Sequence, residues 1–115
     1  MKKIEYSQIV RRKLRELKIH LAREFGTEIS RKAIKSITNT ARDLEIFPQR
    51  GISVTDMYDI ECDYRYIYVN HNYLFYRIEN DKIIIVEMFD NREDFMFKLF
   101  GITTINQESI DYWNE

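Results

Sequence analysis

Cysteine occurs once in these 115 residues, at Cys62, and proline once, at Pro48; glycine occurs three times. A lone cysteine excludes an internal disulfide, and without Cys or His partners at short spacing it builds no zinc site. It is read as a passive thiol. No apolar run approaches the roughly 18 residues of a membrane span, and no charged-then-apolar leader precedes a small-residue cleavage site. The expected compartment is therefore the cytoplasm, with no membrane contact. Internal repeats and low-complexity tracts are absent too. No pattern of residues calls for a metal or a cofactor, so none is expected.

What is present is enough for one domain with a core of its own: 44% of residues are hydrophobic, in a length typical of single domains. The net charge of −1 conceals a division. Residues 1–50 hold 13 Lys/Arg against 6 Asp/Glu, and residues 51–115 hold 5 against 13, giving +7 and −8. Such a split can turn a cationic face toward an anionic partner, either a nucleic acid or an acidic protein segment. Solvated lysines and arginines on helix surfaces give the same count.

Val10, Leu14, Leu17, Leu21 and Phe25 recur at helical spacing and predict a helix over about Ser7 to Phe25. Ser7 suits the N-cap, and Gly26 suits a left-handed residue just past the end. Ile29, Ala33, Ile37, Ala41 and Leu44 repeat the stripe after a Thr27 cap, and Pro48 stops this second helix near Phe47. The short joint makes a helical hairpin, which must bury both stripes against something larger.

Three β-forming runs follow: Tyr64–Val69, Tyr73–Ile78 and Ile83–Phe89. They predict an antiparallel meander with turns at Asn70-His71-Asn72 and at Asn80-Asp81, where Asn and Asp tolerate positive φ. In the first run Tyr64, Tyr66 and Tyr68 share one face and Arg65, Ile67 and Val69 the other. One face packs on the helices and the other is expected to be partly wet. Lys2 to Tyr6 alternates and adds a short edge strand, whereas Ile52 to Glu61 reads as an irregular acidic loop. Asn91-Arg-Glu-Asp-Phe-Met-Phe-Lys-Leu-Phe-Gly101 predicts a closing amphipathic helix. The expected fold is α+β in the order β-α-α-β-β-β-α, with the helical hairpin packed on a small antiparallel sheet.

That order, with the strand pair Tyr73-Leu-Phe-Tyr-Arg-Ile-Glu-Asn-Asp-Lys-Ile-Ile-Ile-Val86 and the ending from Asn91 to Gly101, resembles the RelE/ParE toxin family. The resemblance covers residues 1–101 as a toxin domain. It leaves residues 102–115 as a tail, whose Ile105, Ile110, Tyr112 and Trp113 would pack on the domain, on a second copy in a homodimer, or where an antitoxin docks.

The resemblance implies a bacterial type II toxin–antitoxin module in which a cognate antitoxin neutralises the toxin. The toxin's target is either ribosome-bound mRNA, which it cleaves, or DNA gyrase, which it binds without catalysis. For the ribonuclease branch it points to Arg65, Arg77, Arg92 and Tyr73 as catalytic candidates. Arg65 stands where that branch keeps a basic residue, but Ile67 replaces a second one and Tyr73 an expected arginine. Phe97 and Phe100 occupy the region of a catalytic Tyr, His or Lys. Cleavage through a ribose hydroxyl needs a base, an acid and positive charge around one phosphate. Few groups here qualify, and an isoelectric point near 6.1 disfavours entry into the RNA-rich ribosome. His71, in a hairpin turn, could shuttle protons by its ordinary pKa, but it equally suits a polar loop tip. The expectation is a ParE-like binding toxin; the alternatives are a RelE-like, ribosome-dependent mRNA interferase with an atypical site, or a family member that has lost toxicity.

Overall fold

The structure is a computed structural model that describes residues 2–58 and 61–91. Its five strands are β1 (Lys3–Tyr6), β2 (Ile52–Ser53), β3 (Tyr64–Val69), β4 (Asn72–Ile78) and β5 (Lys82–Asp90). They form one sheet in the order β1-β5-β4-β3-β2. The meander β3-β4-β5 is antiparallel as expected, while β1 pairs with β5 in parallel, Lys3 opposite Lys82 and Tyr6 opposite Ile85. The sheet is therefore mixed. The predicted closing helix and the tail 102–115 lie outside the described residues.

Ser7 ends β1 and caps α1 (Gln8–Phe25): its hydroxyl accepts from the Val10 amide at 3.2 Å and donates to the Val86 carbonyl at 3.1 Å. Helix α2 (Thr27–Arg42) follows after a single residue. That residue, Gly26, has φ 101° and ψ 157°. This is positive-φ backbone reserved for glycine, but extended in ψ rather than left-handed helical as expected. Gly26 also replaces Thr27 as the residue before α2. The second helix is shorter than its stripe suggests, giving way at Asp43–Glu45 to a 3₁₀ turn and at Pro48–Arg50 to another. Between the helices, buried Ser30 donates to the Lys18 carbonyl at 2.6 Å.

The hairpin's inner face meets one face of the sheet. Val10, Ile37, Ala41 and Leu44 pack with Ile67, Leu74, Tyr76, Ile83, Ile85 and Met88. Full burial of such side chains is worth about 1.5–3 kcal/mol each. Phe25 and Ile29, at the hairpin's tip, stay exposed.

The opposite face is drier than expected. Tyr66, Phe75 and Phe89 are buried there with Val54, and Tyr64, Tyr73, Cys62 and Val86 pack around them. The segment from Ile52 is no loop: β2 pairs with β3, and α3 (Val54–Tyr58) brings Val54 into this second core. Thr55 fixes the return of the chain, its hydroxyl accepting from the Cys62 amide and donating to the Cys62 carbonyl.

Asn70 and His71, at φ 51° and 66°, make the predicted positive-φ turn. The β4–β5 turn closes differently: Asn80 and Asp81 keep negative φ, and the Glu79 amide donates to the Lys82 carbonyl at 2.8 Å. A register shift between Phe75 and Tyr76 sets Phe75 opposite Glu87 and Tyr76 opposite Ile85, so Val86 is the extra residue of a bulge. No described helix is long and apolar enough to cross a membrane.

Candidate functional site

Arg65 and Arg77 sit on neighbouring strands, and the register separates them. Arg65 pairs with Tyr76 and Tyr64 with Arg77, so the two arginines are one step out of line and fall on opposite faces of the sheet. Arg65 is on the helix-facing side, beyond the hairpin's cover. One of its terminal nitrogens donates to the Gly51 carbonyl at 2.9 Å and more weakly to the Gln49 carbonyl at 3.5 Å.

The same turn is held from beneath by Tyr76, whose hydroxyl accepts from the Gly51 amide at 2.8 Å and donates to the Pro48 carbonyl at 2.7 Å. Burial raises the Tyr76 pKa, opposed by the Gly51 hydrogen bond and by Arg65 and Arg50. Burial raises that of Tyr6 as well, with Arg42 opposing and Glu45 adding to the shift. Both phenols stay neutral at physiological pH.

Arg77 makes a half-exposed ion pair with Glu79 at 3.0 Å. Tyr73 lies four residues up the same strand, roughly 13 Å away at strand spacing. Its ring packs edge-on against Tyr66 at 5.7 Å and tilted against Tyr68 at 4.9 Å. Arg92 lies outside the described residues. Of the four candidates, then, the three described ones occupy two faces and three separate neighbourhoods, and none converges on another around a common point. His71 stands at the turn between β3 and β4, where its carbonyl accepts from the Asn91 amide at 2.9 Å.

Two surfaces are less committed. Ile46, Phe47, Pro48, Gln49 and Arg50, with Lys2 and Ile78, line an open groove of about 810 Å³. Ile46 and Phe47 are 64% and 65% exposed, an apolar pair of the kind that marks a protein-binding surface. Sequence reasoning passed over these residues because they follow the helical stripe without a break. The signal was there in the apolar pair standing directly before the helix-stopping proline. Gly51 and Tyr76 were also missed, since neither residue's type reveals a contact 25 residues away. The second surface is the outward side of α1, where Gln8, Ile9, Arg11, Arg12 and Arg15 surround a shallow polar depression.

Residues 4–95 match the model of a family described as the ParE toxin of the type II toxin–antitoxin system parDE. The chain belongs to the ParE toxin family. Among solved structures, the chromosomal ParDE toxin–antitoxin system from P. aeruginosa contains a chain of similar fold. The TM-score is 0.65 and the identity 16%, over 78% of this chain and 96% of that one. No curated protein matches in sequence. Membership in the ParE family makes this protein the toxin half of a two-component system, with a cognate antitoxin as its partner. The fold expected of a ParE toxin agrees with the architecture above, a helical hairpin laid across an antiparallel meander.

Proposed function

We propose that this ParE toxin acts by binding a protein target, DNA gyrase, rather than by cutting RNA, and that its antitoxin neutralises it by covering the binding surface. One observation carries the reading: the described candidates for phosphoryl chemistry are dispersed. Arg65 is occupied with the backbone of the Gly51 turn, and Arg77 faces the other way with Glu79 as its partner. In-line cleavage requires a base, an acid and positive charge within reach of a single phosphate. A binding toxin needs only exposed anchors, which the apolar groove beside Phe47 supplies.

Induction of the full chain alone in a bacterial host tests this, with growth and genome-wide mRNA 5′ ends followed together. Purified protein is added in parallel to a gyrase supercoiling assay. The expected result is growth arrest without new codon-phased 5′ ends, and inhibited supercoiling. Codon-phased cuts would instead establish a RelE-like, ribosome-dependent interferase. Normal growth with unaffected gyrase would mark a non-toxic member of the family.

A further inference from the structure

Among the described residues, the positive charge on the outward face of α1 is answered only by one exposed ion pair, at Arg12. At about 100° per residue, Lys18, Arg11, Arg15, Arg12 and Arg23 share about 140° of arc, with Gln8, Ala22 and Ile19 among them and no carboxylate. All five cations are exposed. Arg12 reaches Glu16, at the margin of the arc, only at 3.8 Å. Among the described residues, Arg11, Arg15, Lys18 and Arg23 make no ion pair.

The helix's first turn has no acidic residue, so Arg11 and Arg12 stand close to the positive end of the macrodipole, where cations are disfavoured. The Arg11 Nε donates to the Tyr6 carbonyl at 3.0 Å, which fixes that side chain and leaves its terminal nitrogens for an outside acceptor. This arrangement costs stability in the isolated protein and is relieved by an anion.

We propose that this ridge binds the phosphate backbone of a nucleic acid without reading its sequence. Arg11, Arg15 and Lys18 rise about 6 Å and then about 4.5 Å along the axis. Alternate phosphates of one strand are roughly 7 Å apart along a duplex, so successive side chains, with their long flexible stems, can meet successive accessible phosphates. From Arg11 to Arg23 the ridge runs about 18 Å. Guanidinium forks suit phosphate oxygens, and the absence of any aromatic side chain in the arc removes the stacking platform that base contacts would use.

An acidic protein segment is the weaker fit. Protein interfaces need a desolvated apolar or aromatic anchor, and Ile19 is the arc's one large apolar side chain. The acidic second half of the sequence, at −8 over residues 51–115, would favour approach from the basic half. The inference stands apart from the choice of protein target.

The test is fluorescence anisotropy of a labelled duplex DNA of about 20 base pairs titrated with the full chain, at salt from about 50 to 200 mM. Binding is expected, with the logarithm of affinity falling with slope about −3 to −4 against the logarithm of salt concentration. The variant Arg11→Gln/Arg15→Gln/Lys18→Gln, with an unchanged circular dichroism melt, should bind at least about tenfold more weakly and lose about 3 from the slope. Should the triple variant fold poorly, Arg15→Gln alone is expected to remove about 1 from the slope. No binding at the lowest salt, or variants that bind like the parent, would overturn the proposal. So would poly-glutamate competing better than unlabelled duplex, an outcome that would reassign the ridge to an acidic protein.

Discussion

Tyr76 and Gly51 lock the sheet to the turn that leaves the helices: the buried phenol oxygen lies 2.8 Å from the Gly51 nitrogen, with the Pro48 carbonyl on its other side at 2.7 Å. A Cβ at residue 51 would stand 2.5 Å from that oxygen and 2.8 Å from the Tyr66 carbonyl. The first neighbour belongs to a packed ring and the second to a central strand, so neither can yield cheaply.

Gly51→Ala is therefore expected to destabilise by about 3 kcal/mol or more, at the upper end of overpacking costs. Tyr76→Phe leaves the Gly51 N–H and the Pro48 carbonyl unpaired, for about 1–3 kcal/mol. Urea unfolding followed by circular dichroism measures both. The other glycine of the described residues is a contrast: at Gly26 a Cβ would meet nothing within 4 Å. Gly26→Ala should cost about 1–3 kcal/mol through its positive φ alone.

Alkaline pH should weaken the fold. Tyr6 and Tyr76 have folded pKa values above the ordinary tyrosine value of 10.0. The native state thus holds more protons than the unfolded one as pH climbs past that value. The stability contributed by burying the neutral phenols is complete below it and declines as pH rises toward the folded values. Urea midpoints measured upward from neutral pH should fall most steeply above about 10, and less steeply in the Tyr6→Phe/Tyr76→Phe double variant.

Lys13 and Arg12, adjacent on α1, should respond very differently to removal. Lys13 is half-buried, 2.8 Å from a Glu87 carboxylate oxygen and 2.8 Å from the Met88 carbonyl, with its ammonium 4.4 Å from the centre of the Phe89 ring. It closes the part of β5 that extends past β1. Lys13→Ala should lower stability by about 1–3 kcal/mol, whereas Arg12→Ala, with its exposed pair, should change it by less than about 0.5 kcal/mol. Thermal melts of the two single variants give the comparison.

Arg65→Ala should cost about 1–2 kcal/mol through the lost contact with the Gly51 carbonyl, and Arg77→Ala less than about 0.5 kcal/mol. Under the binding reading, growth arrest per folded molecule is the same for both variants as for the parent. An Arg65→Ala protein of parental stability that had lost RNA cleavage would place Arg65 in a catalytic centre.

Local rules reached a good part of this architecture. The stripes from Val10 to Phe25 and from Ile29 to Leu44 announced two helices because a one-sided helix must bury that side, although Phe25 and Ile29, at the tip, stay exposed. The aromatic and β-branched runs announced β3, β4 and β5 with near-correct limits. What stayed hidden depends on partners distant in the chain. β2 is two residues long and exists because Ile52 and Ser53 find Tyr66 and Arg65. α3 is a short helix whose Val54 is buried in the second core, and no period can show itself in five residues. The alternation of β1 was visible, but its parallel placement on β5 was not. For the candidate site, Arg65 and Arg77 could be named, whereas their separation onto opposite faces could not, because pairing register is set by tertiary contacts.

The parallel pairing of β1 with β5 sets a timetable for folding. The first strand of the chain waits for the last described one, and the helical hairpin waits with it, since β5 supplies much of the surface that covers α1. During synthesis at roughly 5–20 residues per second, the apolar stripes of α1 and α2 stand open for seconds before Lys82 to Asp90 can close over them. A chain of such long-range pairing can complete its sheet only once β5 has been made. Until then a nascent toxin is unfinished, and anything able to hold its helices apart from β5 in that interval would keep it so.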